Sequence, residues 1–516
     1  MALNLSNGFY LVLILFPMLA GCCIFFIPFK KRSVMCIYTE VVTVLTSVLS
    51  FFILFNRPSS NLTMATFAGK FSITVGFDGM GSIFGGLISF LWPLASLYAF
   101  EYMKHEANER SCKETTFFGF YTITYGVTLG IAAASNLITM YIFYELLTLV
   151  TVPLIIFSLS REATLATRTY LYYSLGGAAF GFVTLVFLSN YASSLDFSLG
   201  GILDYDAVNN MIRVEHGTLT GASSDASANL LRLIYLFGFF GFGVKAAVCP
   251  LGSWLPKAGV APTPVTALLH AVAVVKAGAF AILRITYYSF GTELLKDSFA
   301  QIIPMVVVIF TIVYGCTQAV RERHFKRRLA YSTISNLSYI LFGCLIMTPL
   351  GMVGALAHML CHGIMKICSF FCAGAVICNT GKEYVYELDG LGKKMPFTFA
   401  AFTVSSLALM GVPGLCGFIS KWHLADAAAQ SGNPLTYVGV GALLISALLT
   451  AIYMLQVVIR AYFPEKGFNY ATIENIHDPG WKMLVPFGVF IIVMFAIGLY
   501  SKPIIELLIN VASGIF

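Results

Sequence analysis

Ionisable side chains occur inside long apolar runs of this sequence, where a charge is expensive. They are one carboxylate, four amines and three imidazoles: Glu145, Lys245, His270, Lys276, His358, His362, Lys366 and Lys421. A charge at the centre of a membrane helix costs about 2.5–3.5 kcal/mol on insertion scales, so such groups are kept where they have a use or a partner. Amines and imidazoles bind and release protons, histidine near neutral pH. These residue types indicate proton transfer within a membrane.

Three of these residues lie at regular spacing within one apolar run. His358, His362 and Lys366 stand at i, i+4 and i+8, which places them on one face of a helix. Such a face can relay a proton along the helix. A satisfied polar core is one alternative. A metal site is another, but this run has no carboxylate, unlike a zinc-binding HExxH motif.

Glu145 and Lys245 form a candidate pair of opposite charge. Glu145 stands in IFYELLTLV without a neighbouring charge. Lys245 lies about fifteen residues into its run, a depth of roughly 22 Å. Apolar surroundings favour the neutral amine, whereas a nearby carboxylate favours the ammonium form. A pair whose separation changes would therefore bind and release a proton, and a pair that only supports packing is the alternative.

The other candidate groups are less regularly placed. His270 and Lys276 share one apolar run, and His270 could be a structural histidine. Lys421 follows a Pro–Gly break and precedes Trp422 and His423, so anchoring at the membrane surface is the alternative for it.

The elements that must position these groups are membrane helices. The chain has 516 residues, of which 58% are hydrophobic and 11% charged, with a mean hydropathy of +0.84. A soluble domain this apolar would expose too much apolar surface to water. Since a span needs about 20 apolar residues, the sequence predicts an all-α polytopic protein with about fourteen spans. The predicted limits are 8–29, 34–56, 79–100, 117–134, 136–160, 170–190, 230–250, 263–289, 298–320, 328–347, 350–378, 397–420, 435–461 and 482–512.

The basic residues behind the net charge of +7 separate between alternate loops. One set carries Lys30, Lys31, Arg32, Lys104, Arg110, Lys113, Arg161, Arg168, Lys257, the run 321–328, Lys382, Lys393, Lys394, Arg460, Lys466 and Lys482. The other set carries only Arg57, Lys70, Arg213, Arg232, Lys296 and Lys502. The positive-inside rule predicts a protein of the cell membrane with both termini outside. The first span is predicted to be retained, and the polar stretch 191–229 is predicted to be an external loop.

Two predicted spans are interrupted at corresponding places. The seventh contains Cys249–Pro250 after Lys245, and the twelfth contains Pro413–Gly414 before Lys421. Proline removes a backbone donor, so both helices are predicted to be discontinuous. The two spans are five apart and so have opposite orientation. Matching broken helices in inverted halves indicate an ion path.

The twelve cysteines do not indicate a redox site. Cys361, Cys368, Cys372 and Cys378 lie along one apolar run without the spacing of a zinc or iron–sulfur site. The chain also shows no Rossmann glycine fingerprint or P-loop. We therefore expect no cofactor and no metal in this chain, and a driving reaction that lies in partner subunits.

Several strings, taken together, resemble one superfamily. They are FYELLTL, FGVKAAVCPLGSWLPKAGVAPTPVTALLHAVAVVKAGAF, RRLAYSTISNLSYILFG, HMLCHGIMKICSFFCAGA, ELDGLGKKMP and GVPGLCGFISKW. They resemble, over roughly residues 115–425, the antiporter-like membrane subunits of Mrp-type sodium/proton antiporters, respiratory complex I and energy-converting hydrogenases.

The resemblance implies an architecture and a set of roles. It implies three N-terminal helices (1–112), two inverted five-helix repeats (113–290 and 291–465) and a last helix (466–516). It also implies that Glu145 and Lys245 are the modulating pair and that Lys276 is the connecting lysine. His362 and Lys366 would form the polar link, and Lys421 the terminal group.

The resemblance also bears on the subtype. The chain ends soon after its last span, without the long lateral helix of L-type complex I subunits. Lys421 stands where M-type subunits have a glutamate, so the pattern is closer to N-type or Mrp D-type proteins, and hydrogenase-associated subunits share it. Which of these complexes contains the chain stays open.

The resulting hypothesis is translocation of protons, or of protons and sodium, by one subunit of a membrane complex. A proton would enter from the cytoplasm near Lys245, pass Lys276 and the His362/Lys366 face, and leave outward at Lys421. The alternatives are a self-sufficient secondary transporter for a cation or small solute, a quinone-binding redox protein, and a scaffold subunit.

Overall fold

Long apolar helices make up most of the structure. It is a computed structural model that describes residues 6–56, 58, 60–68, 70–109, 113–214, 218–220, 224–465 and 467–514. Among these residues, ten helices are long and apolar enough to cross a membrane. The predicted all-α polytopic fold is confirmed, whereas the count of fourteen spans stays a prediction. The loop charges Arg57, Arg110 and Lys466 lie outside the described residues.

The helices of the first half run from the N-terminus to the segment before residue 299. They are α1 (Gly8–Phe26), α2 (Arg32–Phe55), α3 (Gly79–Glu109), α4 (Glu114–Ala132), α5 (Leu137–Ile155), α6 (Arg161–Tyr191), α7 (Ala228–Gly243), α8 (Trp254–Lys257), α9 (Thr263–Ala267), α10 (Val274–Arg284) and α11 (Thr292–Leu295).

The helices of the second half begin at Phe299. They are α12 (Phe299–Arg321), α13 (Phe325–Leu345), α14 (Pro349–Thr380), α15 (Leu391–Lys394), α16 (Pro396–Met410), α17 (Cys416–Gln430), α18 (Pro434–Tyr462), α19 (Trp481–Leu499) and α20 (Lys502–Ala512).

Short strands occur only in loops of the described chain. β1 (Leu62–Phe67) and β2 (Phe71–Val75) form an antiparallel hairpin between α2 and α3. The predicted loop 191–229 contains three two-residue strands, β3 (Tyr205–Asp206), β4 (Met211–Ile212) and β5 (Ala226–Ser227), paired antiparallel. Its residues 215–217 and 221–223 lie outside the described residues.

Both predicted helix breaks are present, and one begins earlier than expected. α7 ends at Gly243, so Lys245 lies in the irregular segment between α7 and α8, where Ala247 has φ +57°. The later break separates α16 from α17 and contains Gly411 and Gly414 at φ +92° and +86°. Glycine adopts these angles without steric cost. The lysine of the first break is thus held by irregular backbone.

The eighth span contains wide helical turns that the sequence did not predict. It runs from α9 through a π-helical segment, Leu268–Val272, into α10, and ends in a second one, Ile285–Phe290. No proline or internal break marks these turns in the sequence. π-Helical turns are rare and often occur at functional sites.

The last predicted span, 482–512, is two helices and not one. α19 ends at Leu499, and Tyr500 has φ −133° and ψ 68°, outside the helical region. Pro503 has no N–H to donate to the Leu499 carbonyl, so a continuous helix would lose this bond. α20 buries only Leu508, Val511 and Ala512.

The loops that carry many basic residues lie at one end of the helix bundle, and the loops that carry few lie at the other end, as the charge pattern predicts. A cavity of about 390 Å³ at one end is lined by Arg161, Val260, His324, Lys326 and Glu383, which come from four of the predicted positive loops. At the other end, the sparsely charged loops pair through their backbones, as in the bond from the Phe197 amide to the Ser135 carbonyl (2.9 Å).

Candidate functional site

The centre of the site is a line of side chains that joins α10, α14 and α17. The Nζ of Lys276 lies 2.5 Å from Nδ1 of His362. The ring of His362 stacks on that of His358, with centroids 5.7 Å apart. The Nδ1 of His358 lies 3.0 Å from the Oγ of Ser420 on α17. The i, i+4 spacing on α14 therefore brings the rings of His358 and His362 into contact.

Lys421 follows Ser420 and belongs to the same end of the line. Its Nζ donates to the carbonyl oxygens of Leu409 (2.6 Å) and Met410 (3.1 Å), at the last turn of α16. The last carbonyls of a helix lack intrahelical partners and carry partial negative charge, which favours a cation. Tyr339 bridges the line, with its ring 5.0 Å from that of His358 and 5.4 Å from the Lys421 amine. The helix break thus supplies the acceptors for this lysine.

Lys366 connects the same helix to a different group of polar side chains. Its Nζ donates to the Oγ of Ser332 (2.7 Å) and to the Leu329 carbonyl (3.2 Å) on α13. The Ser332 hydroxyl lies 2.6 Å from that of Tyr453, which donates to Thr450 at 3.2 Å. Sequence reasoning did not identify these hydroxyl groups.

The hydroxyl groups continue into a buried thiol. Cys316 Sγ lies 3.1 Å from the Oγ of Ser335, 2.9 Å from that of Ser446 and 3.7 Å from the Oγ1 of Thr450. All of these side chains are buried. Lys366 is therefore part of a polar network between α12, α13, α14 and α18.

Lys245 and Glu145 are near each other without forming a direct ion pair. The Lys245 Nζ donates to the Tyr144 carbonyl at 2.5 Å and lies over the Tyr144 ring. Its charge and that of Glu145 are within electrostatic range. Among the described residues, no N–O contact of 4.0 Å or less joins them, and the Glu145 Oε1 is buried without a hydrogen-bond partner. A change in the separation of this pair, which the switch hypothesis requires, stays a prediction.

Glu145 lies at the perimeter of the chain. Ile142 and Leu149, on the same face of α5, are 37% and 59% exposed, and Glu145 between them is half-buried. Lys421, at the other end of the candidate residues, is also half-buried. The other six predicted site residues are fully buried.

A glycine brings the helix of Lys276 against the break that holds Lys245. A Cβ added to Gly278 would lie 2.5 Å from the Ala246 nitrogen and 2.8 Å from the Lys245 carbonyl carbon. Only glycine permits this close approach. The two lysines thus lie on directly packed elements, although the described residues show no hydrogen bond between them.

His270 does not join the line by a hydrogen bond. Its ring packs on Phe370 with centroids 4.9 Å apart, and neither ring nitrogen has a partner among the described residues. It lies within the first π-helical segment and within electrostatic range of Lys366. The structure therefore places His270 beside the predicted pathway, where both ring nitrogens could still accept or donate a hydrogen bond.

Sequence reasoning missed two ionisable groups, the buried Arg284 and the half-buried Glu40. Arg284 on α10 pairs with Asp78, with Nη2 donating to Oδ1 at 2.6 Å, and its guanidinium lies 4.8–4.9 Å from the centroids of three aromatic rings. Glu40 is a carboxylate within α2, eight residues after its start. Both stand inside predicted spans, so their charge in an apolar run was the signal that could have found them.

The cavity at the positively charged end holds a histidine–glutamate pair. The Nε2 of His324 lies 3.3 Å from the Oε2 of Glu383. Burial lowers the pKa of His324, and the Glu383 carboxylate opposes this shift. This pair lies in the loops outside the membrane helices.

The fold and site together define a class: a polytopic membrane protein with a buried row of lysine and histidine side chains that are in contact. The family described as "NADH:quinone oxidoreductase/Mrp antiporter, TM" matches residues 134–450. NADH-quinone oxidoreductase subunit N of Desulforudis audaxviator is 30% identical over 444 residues, 83% of this chain and 82% of the relative. The chain belongs to this family.

Solved structures share the fold along almost the whole chain. A chain of the Mrp complex from Dietzia sp. DQ12-45-1b has a TM-score of 0.82 at 19% identity, covering 99% of this chain and 98% of its own. A chain of the membrane-bound sulfane sulfur reductase, an archaeal respiratory membrane complex, has a TM-score of 0.81 at 22% identity, with the same coverage. The polytopic antiporter-like fold is thereby confirmed.

Proposed function

We propose that this chain translocates protons as one subunit of a larger membrane complex. The observation that carries the proposal is the contact sequence from Lys276 through His362 and His358 to Ser420, in which the three basic side chains are fully buried. Buried ionisable groups in a membrane protein mark ion paths and proton relays.

The chemistry of the row favours the proton over the sodium ion. Amines and imidazoles bind a proton through a nitrogen lone pair, whereas alkali and other hard cations prefer oxygen ligands. A sodium ion would also be repelled by the ammonium groups of the row. Sodium coupling would therefore need oxygen-rich sites outside this row.

A single transfer step illustrates how the row works. The Lys276 ammonium gives its proton to Nδ1 of a neutral His362, leaving a neutral amine and an imidazolium. The imidazolium returns the proton or passes it, through water at its unpartnered Nε2, towards His358. Moving one charge across 100 mV requires about 2.3 kcal/mol, so moderate changes in nearby charge can set the direction.

The arrangement of Glu145 supports the proposal of partner subunits. A carboxylate that is half-buried at the perimeter of a membrane helix needs a cover, because charged groups facing lipid are rare. The relatives are named as subunits or complexes, so we infer further antiporter-like subunits and an oxidoreductase or hydrogenase module as partners. The driving reaction, with its cofactors, belongs to that module in this proposal.

The proposed location is the cell membrane, with both termini on the outer side. Support comes from the meeting of the positive loops at one end of the bundle, around the cavity lined by Lys326 and Arg327. The positive-inside rule assigns that end to the cytoplasm. The seventh-span break, with Lys245, would then receive protons from that side.

The test uses the complex purified in mild detergent and reconstituted in liposomes, with proton uptake driven by an imposed membrane potential. We expect Lys245→Ala and Glu145→Ala to abolish uptake while the complex still assembles. Lys257→Ala, an exposed lysine beyond the same break, is the matched control and should transport normally. Uptake that survives in both variants would show that the pathway is wrongly assigned.

A second measurement separates the main alternatives. The chain alone, reconstituted without partners, should not transport under the proposal. Full transport by the chain alone would favour a self-sufficient secondary transporter. Copurified iron–sulfur or nickel proteins would indicate a complex I or hydrogenase relative.

A further inference from the structure

One face of α2 carries polar residues along most of its length. They recur at intervals of three or four residues: Arg32, Cys36, Glu40, Thr43, Ser47 and Ser50. The opposite face is apolar and exposed, with Ile37, Val41, Val44, Leu45 and Val48 between 40% and 63% exposed. The polar face is therefore turned inward, against α3 and α4.

Glu40 is the ionisable centre of this face. Its Oε2 accepts a hydrogen bond of 2.5 Å from the Oγ of Ser96 on α3. The same Oγ lies 3.3 Å from the Thr43 hydroxyl. The Glu40 carboxylate thus lies among hydroxyl groups within a membrane helix, without an ion pair of 4.0 Å or less in the described part of the chain.

The polar contacts continue one to two turns further along α2. The Ser47 hydroxyl lies 2.7 Å from that of Tyr125 on α4. Trp92 of α3 stacks on Tyr125, with ring centroids 4.7 Å apart and an interplanar angle of 7°. Tyr121, whose ring lies 5.5 Å from that of Trp92, is within electrostatic range of Glu40. The three helices α2, α3 and α4 therefore share one polar interface, which we call the seam.

Four fully buried polar atoms of these helices have no hydrogen-bond partner among the described residues. They are the Oγ atoms of Ser50 and Ser89, the Nε1 of Trp92 and the hydroxyl of Tyr121. A buried polar group without a partner is costly, and in native proteins ordered water usually supplies it. The indole N–H only donates, so it cannot ligate a cation. Water is the occupant that satisfies all four groups.

The seam leads to the end of the bundle that carries the positive loops. There, Nε of Arg32 pairs with Oε2 of Glu114 at 2.7 Å, and Nη2 donates to the Phe100 carbonyl at 2.6 Å. A cavity of about 430 Å³ opens beside this pair, lined also by Lys104 and Lys113. Cys36 lies between this pair and Glu40 on the same face.

We propose that this face of α2, with α3 and α4, is a water-filled seam in which Glu40 exchanges protons with the aqueous phase beside Arg32 and Glu114. In the exchange, a hydronium ion gives its proton to the Glu40 carboxylate, and the carboxylic acid later returns it to water. The seam shares no residue with the lysine–histidine row, so the inference goes beyond the proposed function.

Water access is tested by silver ions, which are thiol-reactive and small enough to follow water. Ser47→Cys and Ser50→Cys are introduced singly into a cysteine-free form of the complex, which is treated first with silver ions and then with a maleimide. We expect silver to block the reaction of these two cysteines with the maleimide. Val44→Cys and Val48→Cys, on the lipid-facing side of α2, are the matched controls and should still react with the maleimide after silver treatment. A variant with native Cys36 as its sole cysteine probes the seam without any substitution in it.

Proton exchange at Glu40 is tested by infrared difference spectra of the purified complex between acid and neutral pH. We expect a protonated carboxyl band that shifts in D2O, is lost in Glu40→Gln and is kept in Glu506→Gln, an exposed control. Equal silver reaction on both faces of α2, no reaction in the seam, or identical bands in Glu40→Gln would each overturn the proposal. None of these readouts requires transport, so a failed lysine–histidine pathway would leave the test valid.

Discussion

Nζ of Lys276 and Nδ1 of His362 lie 2.5 Å apart although 86 residues separate them in the chain. The contact joins α10, from the first half of the chain, to α14, from the second half. Two nitrogen bases at this distance hold one proton between them. In the proposed function, this pair is the joint at which a proton passes from one half of the molecule to the other.

Removal of this joint should interrupt transfer between the halves. We expect Lys276→Ala and His362→Ala to lower proton uptake by the reconstituted complex about 10²-fold, the lower end of the contribution of a positioned acid or base. Uptake is measured under an imposed membrane potential.

The matched control for the joint is Cys361→Ala, the buried neighbour of His362 on α14. It should assemble and transport normally. If His362→Ala transports as well as Cys361→Ala, the proton does not pass through this contact.

The second prediction concerns the bond from Lys366 to Ser332. Ser332→Ala removes an acceptor of the Lys366 ammonium and the link to Tyr453. We expect a loss of uptake of about 10- to 150-fold, because a hydrogen bond to a charged group contributes about 1.5–3 kcal/mol and about 1.36 kcal/mol corresponds to a factor of ten. Ser338→Ala, on the same helix, is the control, because within the described part of the chain its hydroxyl bonds to the Ile334 carbonyl alone. Similar rates in the two variants would show that the hydroxyl network only supports packing.

The third prediction concerns stability at Arg284 and Asp78. Arg284→Met leaves the Asp78 carboxylate without its guanidinium partner. Breaking a buried pair costs about 3–5 kcal/mol, and since the Asp78 side chain is 38% exposed we expect a smaller loss, about 2 kcal/mol. Thermal unfolding of the purified complex in detergent measures it. The double variant Arg284→Met/Asp78→Leu should recover part of the loss, and an unchanged Tm in Arg284→Met would contradict the prediction.

The fourth prediction concerns pH and His324. Because burial lowers the pKa of His324 in the folded protein, the unfolded chain binds a proton at this residue at a higher pH than the folded chain does. Stability from this residue is therefore present above the ordinary pKa of about 6.5 and is lost as the pH falls below it. Glu383 and Glu322 oppose the shift, and Lys326 and Arg327 add to it.

The variant that tests this prediction is His324→Gln. Its Tm should change less than that of the wild type between about pH 7.5 and about pH 5.5. His477→Gln, at an exposed position, should keep the pH dependence of the wild type. Equal pH dependence in all three proteins would contradict the assignment.

The sequence located the row because charge inside an apolar run is a strong physical signal. The spacing of His358, His362 and Lys366 also predicted their common face, since helix periodicity is local. The contact between Lys276 and His362 could not be predicted in the same way, because it depends on how two distant helices pack. Residue-level roles in transport remain predictions.

Other features were missed for identifiable reasons. Ser332 is one of many serines in the membrane helices of this chain. Its role is visible only in the distance from its hydroxyl to the Lys366 amine. Glu40 could have been found, because it stands in the second predicted span and the polar face of α2 is visible in the spacing. Pro503 lies inside the predicted span 482–512 and indicates the separation of α19 from α20.

The π-helical segment Leu268–Val272 has a geometric consequence for the joint between the halves. A wide turn takes up about one residue more than an α-helical turn, and one residue corresponds to about 100° of rotation about the helix axis. If this segment were regular α-helix, the residues of α10 after it would be turned by roughly that angle, and the Lys276 side chain would face away from α14. The angular setting of this one short segment therefore decides whether Lys276 of the first half can contact His362 of the second half.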